Sequence, residues 1–288
     1  MSEPVGGAWD NWLGREAQAA DQLDPALARR WLATFDLPAP HDDVMPQGIH
    51  FCLCTPEAPQ AALGVDGHPL RDDSPSSFFP PIPLPRRMWA ASDIQFLQPL
   101  RMGQPIVRLS RIVSIAEKDG SSGKLGFVEV EHVTLAGGDE AVRETQTLVY
   151  RDAVPPEAPL SPPAPGEGCF DPSAWDVART IRPDPRLLFR FSALTFNTHR
   201  IHYDLPYARD IERYRGLVVH GPLMASLLLQ MAEAELGSNT VRRFSFRAVS
   251  PAIADEPLHL ALRKGEDGFE LGTFASDGRQ VVKASAAV

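Results

Sequence analysis

Eight consecutive positions of this chain hold an amide, two imidazoles, a guanidinium and a carboxylate: Asn197, Thr198, His199, Arg200, Ile201, His202, Tyr203 and Asp204. Shortly afterwards the segment Gly216-Leu-Val-Val-His220-Gly221-Pro222 leads into a long apolar run. Imidazole titrates near neutral pH, so His202, His199 and His220 are the side chains here best suited to take and return a proton. Asn197 offers a carboxamide that can hold a water, although it cannot serve as an ordinary general base. The backbone amide of Gly221, at a helix start, suits an oxygen that gains negative charge during a reaction, and the helix dipole adds to its effect.

These groups need elements to position them. Residues 222–236 are good helix formers, with Pro222 in the first turn and Gly237 just past the end. The run is apolar nearly all round for two turns, which predicts a buried helix with His220 and Gly221 at its entrance. Asp204 stands before Leu205-Pro206, so its carboxylate reads equally as a helix cap. His220 reads equally as a packing residue, and His199 either lines a pocket or anchors a loop.

An internal echo runs through the chain. Pro99 and Pro105 recur as Pro251 and Pro257, at the same offset of 152 residues. Each pair is followed by strand-like alternation, at 106–115, 124–135 and 140–150 in the first half and at 258–264, 268–275 and 279–286 in the second. Another strand precedes each set, at 92–97 and 241–249, so the pattern predicts a duplicated antiparallel meander. Residues 72–85 hold five prolines and predict no counterpart to the long helix; the first half is expected to have only shorter helices, near 25–35 and 48–54. Residues 153–172 are so rich in proline that they read as a semi-rigid linker.

Composition excludes some functions. The chain has 288 residues, 43 % of them hydrophobic, enough for a sizeable core. Its net charge of -9 gives no electrostatic support to nucleic-acid binding. Three cysteines without a Cys-x-x-Cys pair suit a reducing compartment, and the start of the chain lacks an apolar or Arg-rich signal. No apolar run reaches the roughly 18 residues of a membrane helix. A cytoplasmic protein with no membrane partner is expected.

The segments 194–204 and 216–222, together with Pro83-Leu-Pro-Arg86-Arg87-Met-Trp89 and residues 96–103, resemble the MaoC-like (R-specific enoyl-thioester hydratase) superfamily. The closer likeness is to the double hot-dog branch of mesaconyl-CoA hydratases and mitochondrial-type 3-hydroxyacyl-thioester dehydratases. The resemblance implies an α+β double hot-dog fold, antiparallel sheets wrapping helices, with one long central helix in the C-terminal half. Residues 1–152 are then a degenerate N-terminal hot-dog, 153–172 the linker and 173–288 the catalytic hot-dog. It also implies a hydro-lyase acting reversibly on a 2-enoyl or 3-hydroxyacyl thioester.

Placed on the broader family's motif, His202 falls on the catalytic histidine, Ile201 on the aliphatic residue before it and Asp204 on the Asp two positions after. Asn197 stands where that family has its catalytic Asp, His199 where it has Asn and Arg200 where it has Pro. By this likeness the catalytic set is His202, Asn197, Gly221, His199 and Asp204, with Arg200, His220 and Arg86 contacting substrate. Arg200 would meet a second carboxylate of a mesaconyl-type substrate. No cofactor is expected beyond the coenzyme A of the substrate, and no metal, although His199, His202, Asp204 and His220 are ligand types. The partner is an acyl-CoA or acyl-carrier thioester; whether copies form a homo-oligomer is left open. Alternatives are a fatty-acyl-type dehydratase, a hot-dog thioesterase and a non-catalytic thioester-binding subunit.

Overall fold

Antiparallel pairing carries the chain from one end of a ten-stranded sheet to the other. The computed structural model describes residues 9–40, 42–120 and 123–288. Most of the amino-terminal stretch read above for targeting lies outside them. In chain order the elements are β1 (Glu16–Gln22), α1 (Pro25–Thr34), β2 (Arg86–Phe96), β3 (Pro105–Gly120), β4 (Gly123–Ala136) and β5 (Asp139–Arg151). Then come β6 (Val177–Ile181), α2 (Pro185–Leu194), α3 (Gly221–Leu236), β7 (Arg243–Ala248), β8 (Leu258–Gly265), β9 (Gly268–Ala275) and β10 (Gln280–Ala287).

The strand order β1-β3-β4-β5-β2-β7-β10-β9-β8-β6 is a palindrome of two five-strand halves that meet where β2 pairs with β7, Ile94 opposite Phe244. The duplicated meander is therefore present as expected, and the matched prolines bracket matched turns. Gly103 and Asp255, at the same 152-residue offset, both take positive φ, 86° and 64°. Both helices that follow the edge strands begin alike. The Asp24 carboxylate accepts from the amides of Ala26 and Leu27, and that of Asp184 from the amide of Leu187, with proline next in each case.

One helix dominates the core. In α3, Leu223, Met224, Ala225, Leu228, Leu229, Met231 and Ala232 are all buried, which explains why its sequence has no polar face. Its first-half counterpart is only a 3-10 turn, Ile49–Cys52, entered through Gly48 at φ 105°. A Cβ on Gly48 would lie 3.3 Å from Ser226 Oγ, so this turn packs directly on α3. The proline-rich stretch before β2 is extended, and Ile82 and Leu84 pack against Val128, Val130 and Tyr150 on the sheet. Three elements differ from the sequence expectation: α2, β1 and β6 are present without having been predicted. Two of them are short edge strands whose exposed residues give no alternation to read.

Candidate active site

The chain leaves α2 through a sharp turn. Phe196 takes positive φ, 48°, a conformation that costs a non-glycine residue energy, and the Asn197 amide donates to the Ser192 carbonyl at 2.9 Å. The Asn197 Oδ1 in turn accepts from the His199 amide at 2.9 Å. That bond fixes which end of the carboxamide is free: Nδ2, a donor.

A 3-10 turn, Arg200–His202, then brings His202 into the interior, where it is buried. Its Nδ1 lies 2.7 Å from the Val218 carbonyl oxygen. A carbonyl only accepts, so Nδ1 carries the proton and Nε2 the lone pair. Burial pushes the imidazole down to about 4, against a smaller upward pull from that carbonyl, so His202 is neutral. The ring of His220 stacks on it, centroids 3.5 Å apart and planes 17° apart. His220 is itself held by Ser192, Oγ to Nε2 2.9 Å, and burial keeps it well below its ordinary value, with His202 and His199 adding to the effect. His220 is thus a plate under His202 that fixes its plane. Ser192, two residues before the end of α2, is a site residue that the sequence reading missed.

His220 also stands at the N-cap of α3 without capping it. A Cβ built on Gly221 would meet nothing within 4 Å, so the uncapped helix start borders open space. Helix-start amides have no partner within the helix, and here no side chain of the N-cap residue takes their place.

The first half contributes to the same place. A hairpin around residues 62–70, closed by Leu70 N to Ala62 O at 2.8 Å and Gly64 N to His68 O at 2.7 Å, lies on the 198–200 loop. Thr198 Oγ1 donates to the Gly67 carbonyl at 2.5 Å, Arg200 N to that of Asp66 at 2.8 Å and Arg200 Nη1 to that of Val65 at 2.8 Å. His68 packs against His199 with ring centroids 4.0 Å apart and planes tilted by 34°, and His199 meets His202 edge to face at 5.5 Å. Four imidazoles therefore form a row, His68, His199, His202 and His220. Burial holds His199 low as well, with the neighbouring histidines and Arg86 and Arg87 adding to it.

Asp66 Oδ2 lies 3.0 Å from His68 Nδ1, and Asp66 Oδ1 accepts from the His68 amide at 3.0 Å. Burial raises the Asp66 carboxyl, but the bonds from His68 outweigh it and hold the group below its usual value. Asp66, His68 and His199 each offer a ligand atom within 4.8 Å of the others, the donor types of a divalent metal site. The ligand types singled out in the sequence, Asp204 and His220 among them, do not converge in this way.

Three expected site residues are differently engaged. Asp204 Oδ2 pairs with Arg200, at 3.0 Å to Nε and 2.7 Å to Nη2, and Asp204 Oδ1 caps the Tyr207 amide at 3.1 Å. The Tyr207 amide and then Arg200 hold its carboxyl below the ordinary value. Asp204 is thus engaged as a cap, one of the two readings open in the sequence. Arg200, paired with Asp204 and lying over the Tyr207 ring at 4.1 Å, is a structural clamp rather than a free guanidinium. Arg86 bridges β2 to the second half, 2.7 Å from Glu212 Oε2 and 3.0 Å from the Tyr214 hydroxyl. Arg87, one residue on, has no carboxylate partner among the described residues and lies over the Phe79 ring at 5.2 Å.

Comparison with known proteins agrees with this architecture. Residues 48–254 match the family described as hydroxyacyl-thioester dehydratase type 2. The chain is 43 % identical over 280 residues to the mesaconyl-C(4)-CoA hydratase of Chloroflexus aurantiacus, covering 96 % of each. It is 26 % identical over 242 residues to the mitochondrial hydroxyacyl-thioester dehydratase type 2 of Schizosaccharomyces pombe, covering 75 % of this chain and 76 % of that one. Among solved structures, a Mycobacterium tuberculosis protein with a double hot-dog fold superposes with a TM-score of 0.55 at 14 % identity, over 95 % of each chain. The fold is the double hot-dog expected above. No helix among the described residues is long and apolar enough to cross a membrane.

Proposed function

The chain belongs to the hydroxyacyl-thioester dehydratase type 2 family, and on that premise we propose that it catalyses reversible hydration of a mesaconyl-type CoA thioester, an enoyl acid with a second carboxylate. The observation that carries this reading is the likeness, nearly end to end, to a mesaconyl-C(4)-CoA hydratase. The site geometry supports it independently. Water addition to a 2-enoyl thioester needs a group to take a proton from water, a donor for the developing enolate oxygen and a source of a proton for the α carbon.

His202 supplies the first. Its Nδ1 is spent on Val218, its ring is fixed by His220, and Nε2 is left with the lone pair. Asn197, with Oδ1 engaged, offers Nδ2 to the attacking water. The Gly221 amide serves the thioester oxygen, where charge develops as the C=C bond is attacked. His199 packs between the His68 and His202 rings, and Asp204 with Arg200 holds the loop in shape. Since Arg86 and Arg200 are already ion-paired, Arg87 takes the role of meeting the second carboxylate. No step of this chemistry calls for a redox or metal cofactor. A location in the cytoplasm, and a CoA rather than an acyl-carrier thioester, belong to the same reading. The test is turnover of purified protein on a panel of enoyl thioesters, with and without a second carboxylate, followed by loss of enoyl absorbance and gain of one water by mass.

A further inference from the structure

We propose that Asp66, His68 and His199 form a binding site for a divalent cation of the zinc class, which ties the hairpin of the first half to the active-site loop of the second. Asp66 and His68 stand on the 62–70 hairpin and His199 just before the 3-10 turn at 200–202, so one ion draws donors from both halves. Each residue offers one ligand atom, and the three atoms lie within 4.8 Å of one another. Three points so spaced share a centre within about 2.8 Å of each, 4.8 Å divided by √3. Zinc holds imidazole nitrogen and carboxylate oxygen at about 2.0–2.2 Å, so closing on an ion moves each donor by less than about 1 Å. Asp66 Oδ2 and His68 Nδ1 are already 3.0 Å apart. Two ligands of a tetrahedral zinc stand about 3.3 Å apart, and the hydrogen bond of the free protein gives way to the ion.

The donor types select the ion. Two imidazoles and a carboxylate suit zinc, nickel or cobalt, whereas magnesium and calcium take oxygen ligands. With three protein donors a fourth position stays open to water. An ion can enter from solvent, since the side chains of His68 and Asp66 keep 26 % and 34 % of their surface exposed. Among the described residues no other three side chains of His, Cys, Asp or Glu converge in this way. The donors are also held in place beforehand. Asp66 Oδ1 accepts from the His68 amide at 3.0 Å, which leaves Oδ2 toward the imidazole. Gly67 between them takes φ 88°, and a Cβ there would lie 1.8 Å from the Thr198 carbonyl oxygen, so glycine alone allows the approach that three hydrogen bonds then secure. His199 is fixed from the other side, its amide bonded to Asn197 Oδ1 and its ring packed between those of His68 and His202. Such preorganisation lowers the cost of ordering on binding.

An ion here regulates rather than catalyses. The edge of His199 meets the His202 ring, so drawing His199 toward Asp66 and His68 shifts the wall against which His202 is set. Active-site geometry tolerates little such movement, a displacement of about 1 Å costing up to about 10²-fold. Hydration therefore slows when the site fills. The binding stands apart from the hydratase reading, and the effect on rate rests on it.

Calorimetry of zinc chloride added to metal-free wild type, with magnesium chloride as control, tests the binding. One zinc per chain is expected, and magnesium should not compete. Asp66→Asn, His68→Gln and His199→Gln should each weaken zinc by at least about 10-fold, since even a partner that only orients a ligand is worth about 10–100-fold. A wild type that takes up no zinc, or an affinity unchanged in all three variants, overturns the site. Where a variant fails to fold by circular dichroism, wild-type crystals grown with zinc decide. An anomalous peak bonded to the three residues supports the site, and a peak only elsewhere overturns it. Kinetics on the enoyl thioester that wild type hydrates read the consequence. Saturating zinc is expected to lower kcat on the order of 10-fold, reversibly with a chelator, and to leave Asp66→Asn at its own zinc-free rate. Full turnover with the site saturated overturns the regulatory role. A wild type that hydrates no enoyl thioester overturns the hydratase reading and that role together, while calorimetry still judges the site.

Discussion

Replacing Gly67 by alanine perturbs the docking of the hairpin without touching any proposed reactive group. The added Cβ would stand 1.8 Å from the Thr198 carbonyl oxygen, a backbone atom that cannot step aside as a side-chain tip would. A left-handed φ of 88° adds about 1 kcal/mol of strain for alanine. The hairpin is expected to lift rather than clash, and its undocking forfeits the bonds from Thr198 Oγ1, Arg200 N and Arg200 Nη1, each worth about 1 kcal/mol net. The loss is therefore bounded near 3 kcal/mol, which for a chain of this size lowers Tm by about 6 °C. The hairpin braces the loop that carries His199 and His202, so kcat should fall as well. Calorimetry and steady-state kinetics on the same preparation read both numbers. A Gly67→Ala protein with wild-type Tm and kcat would refute the docking and its support of the site loop.

Further outcomes follow from the site and the core. His202→Ala should cost on the order of 10²-fold or more in kcat with the fold retained by circular dichroism, and Asn197→Ala less, because it only holds the water. Arg87→Gln should raise KM for a dicarboxylic thioester and leave crotonyl-type turnover unchanged; equal effects on both would remove its proposed role. Glu144, buried and bonded to Ser92 Oγ at 2.5 Å, is pushed by burial up to about 7 from 4.5. Its folded value is raised, so its contribution to stability is full below about pH 4.5 and lost as pH rises through about 7. Glu144→Gln should thus gain up to about 3 kcal/mol on wild type between about pH 5 and pH 8, read from urea melts; a pH-independent difference would contradict it.

Burial of histidine works in the opposite sense. His202 is held down at about 4 and His132 likewise, both chiefly by desolvation, so each favours the fold above its ordinary 6.5 and less as pH falls toward 4. Wild type should lose stability on acidification through that window. His132→Gln should lose less than wild type, which paired melts at about pH 7 and pH 5 would show.

The parts legible in the sequence are those whose signals are local. The residues of α3 name a buried helix because an all-round apolar surface has few other uses, and the matched prolines at 99, 105, 251 and 257 mark repeated turns because proline and left-handed φ recur together there. The motif around His202 is legible for the same reason, since Asn197, His199 and His202 are neighbours in chain as well as in space. What the sequence hides is long-range. Asp66 and His68 lie more than a hundred residues from the loop they dock on, and nothing at Val65-Asp66-Gly67-His68 tells which surface that glycine approaches. The one readable trace is the spacing of an Asp and a His around a Gly, which suits a carboxylate-imidazole pair wherever it occurs. Ser192 is hidden similarly, as an ordinary helix residue until His220 is folded onto it. Arg200 misleads from sequence because an exposed-looking guanidinium beside a catalytic motif carries no sign of its Asp204 partner four residues on.

The most direct test of the account is to incubate the purified protein with a mesaconyl-type CoA thioester and with crotonyl-CoA, following enoyl absorbance, free thiol and mass together. The account predicts loss of enoyl absorbance and gain of one water with the thioester intact, faster for the dicarboxylic substrate. Release of free thiol without addition of water would contradict it.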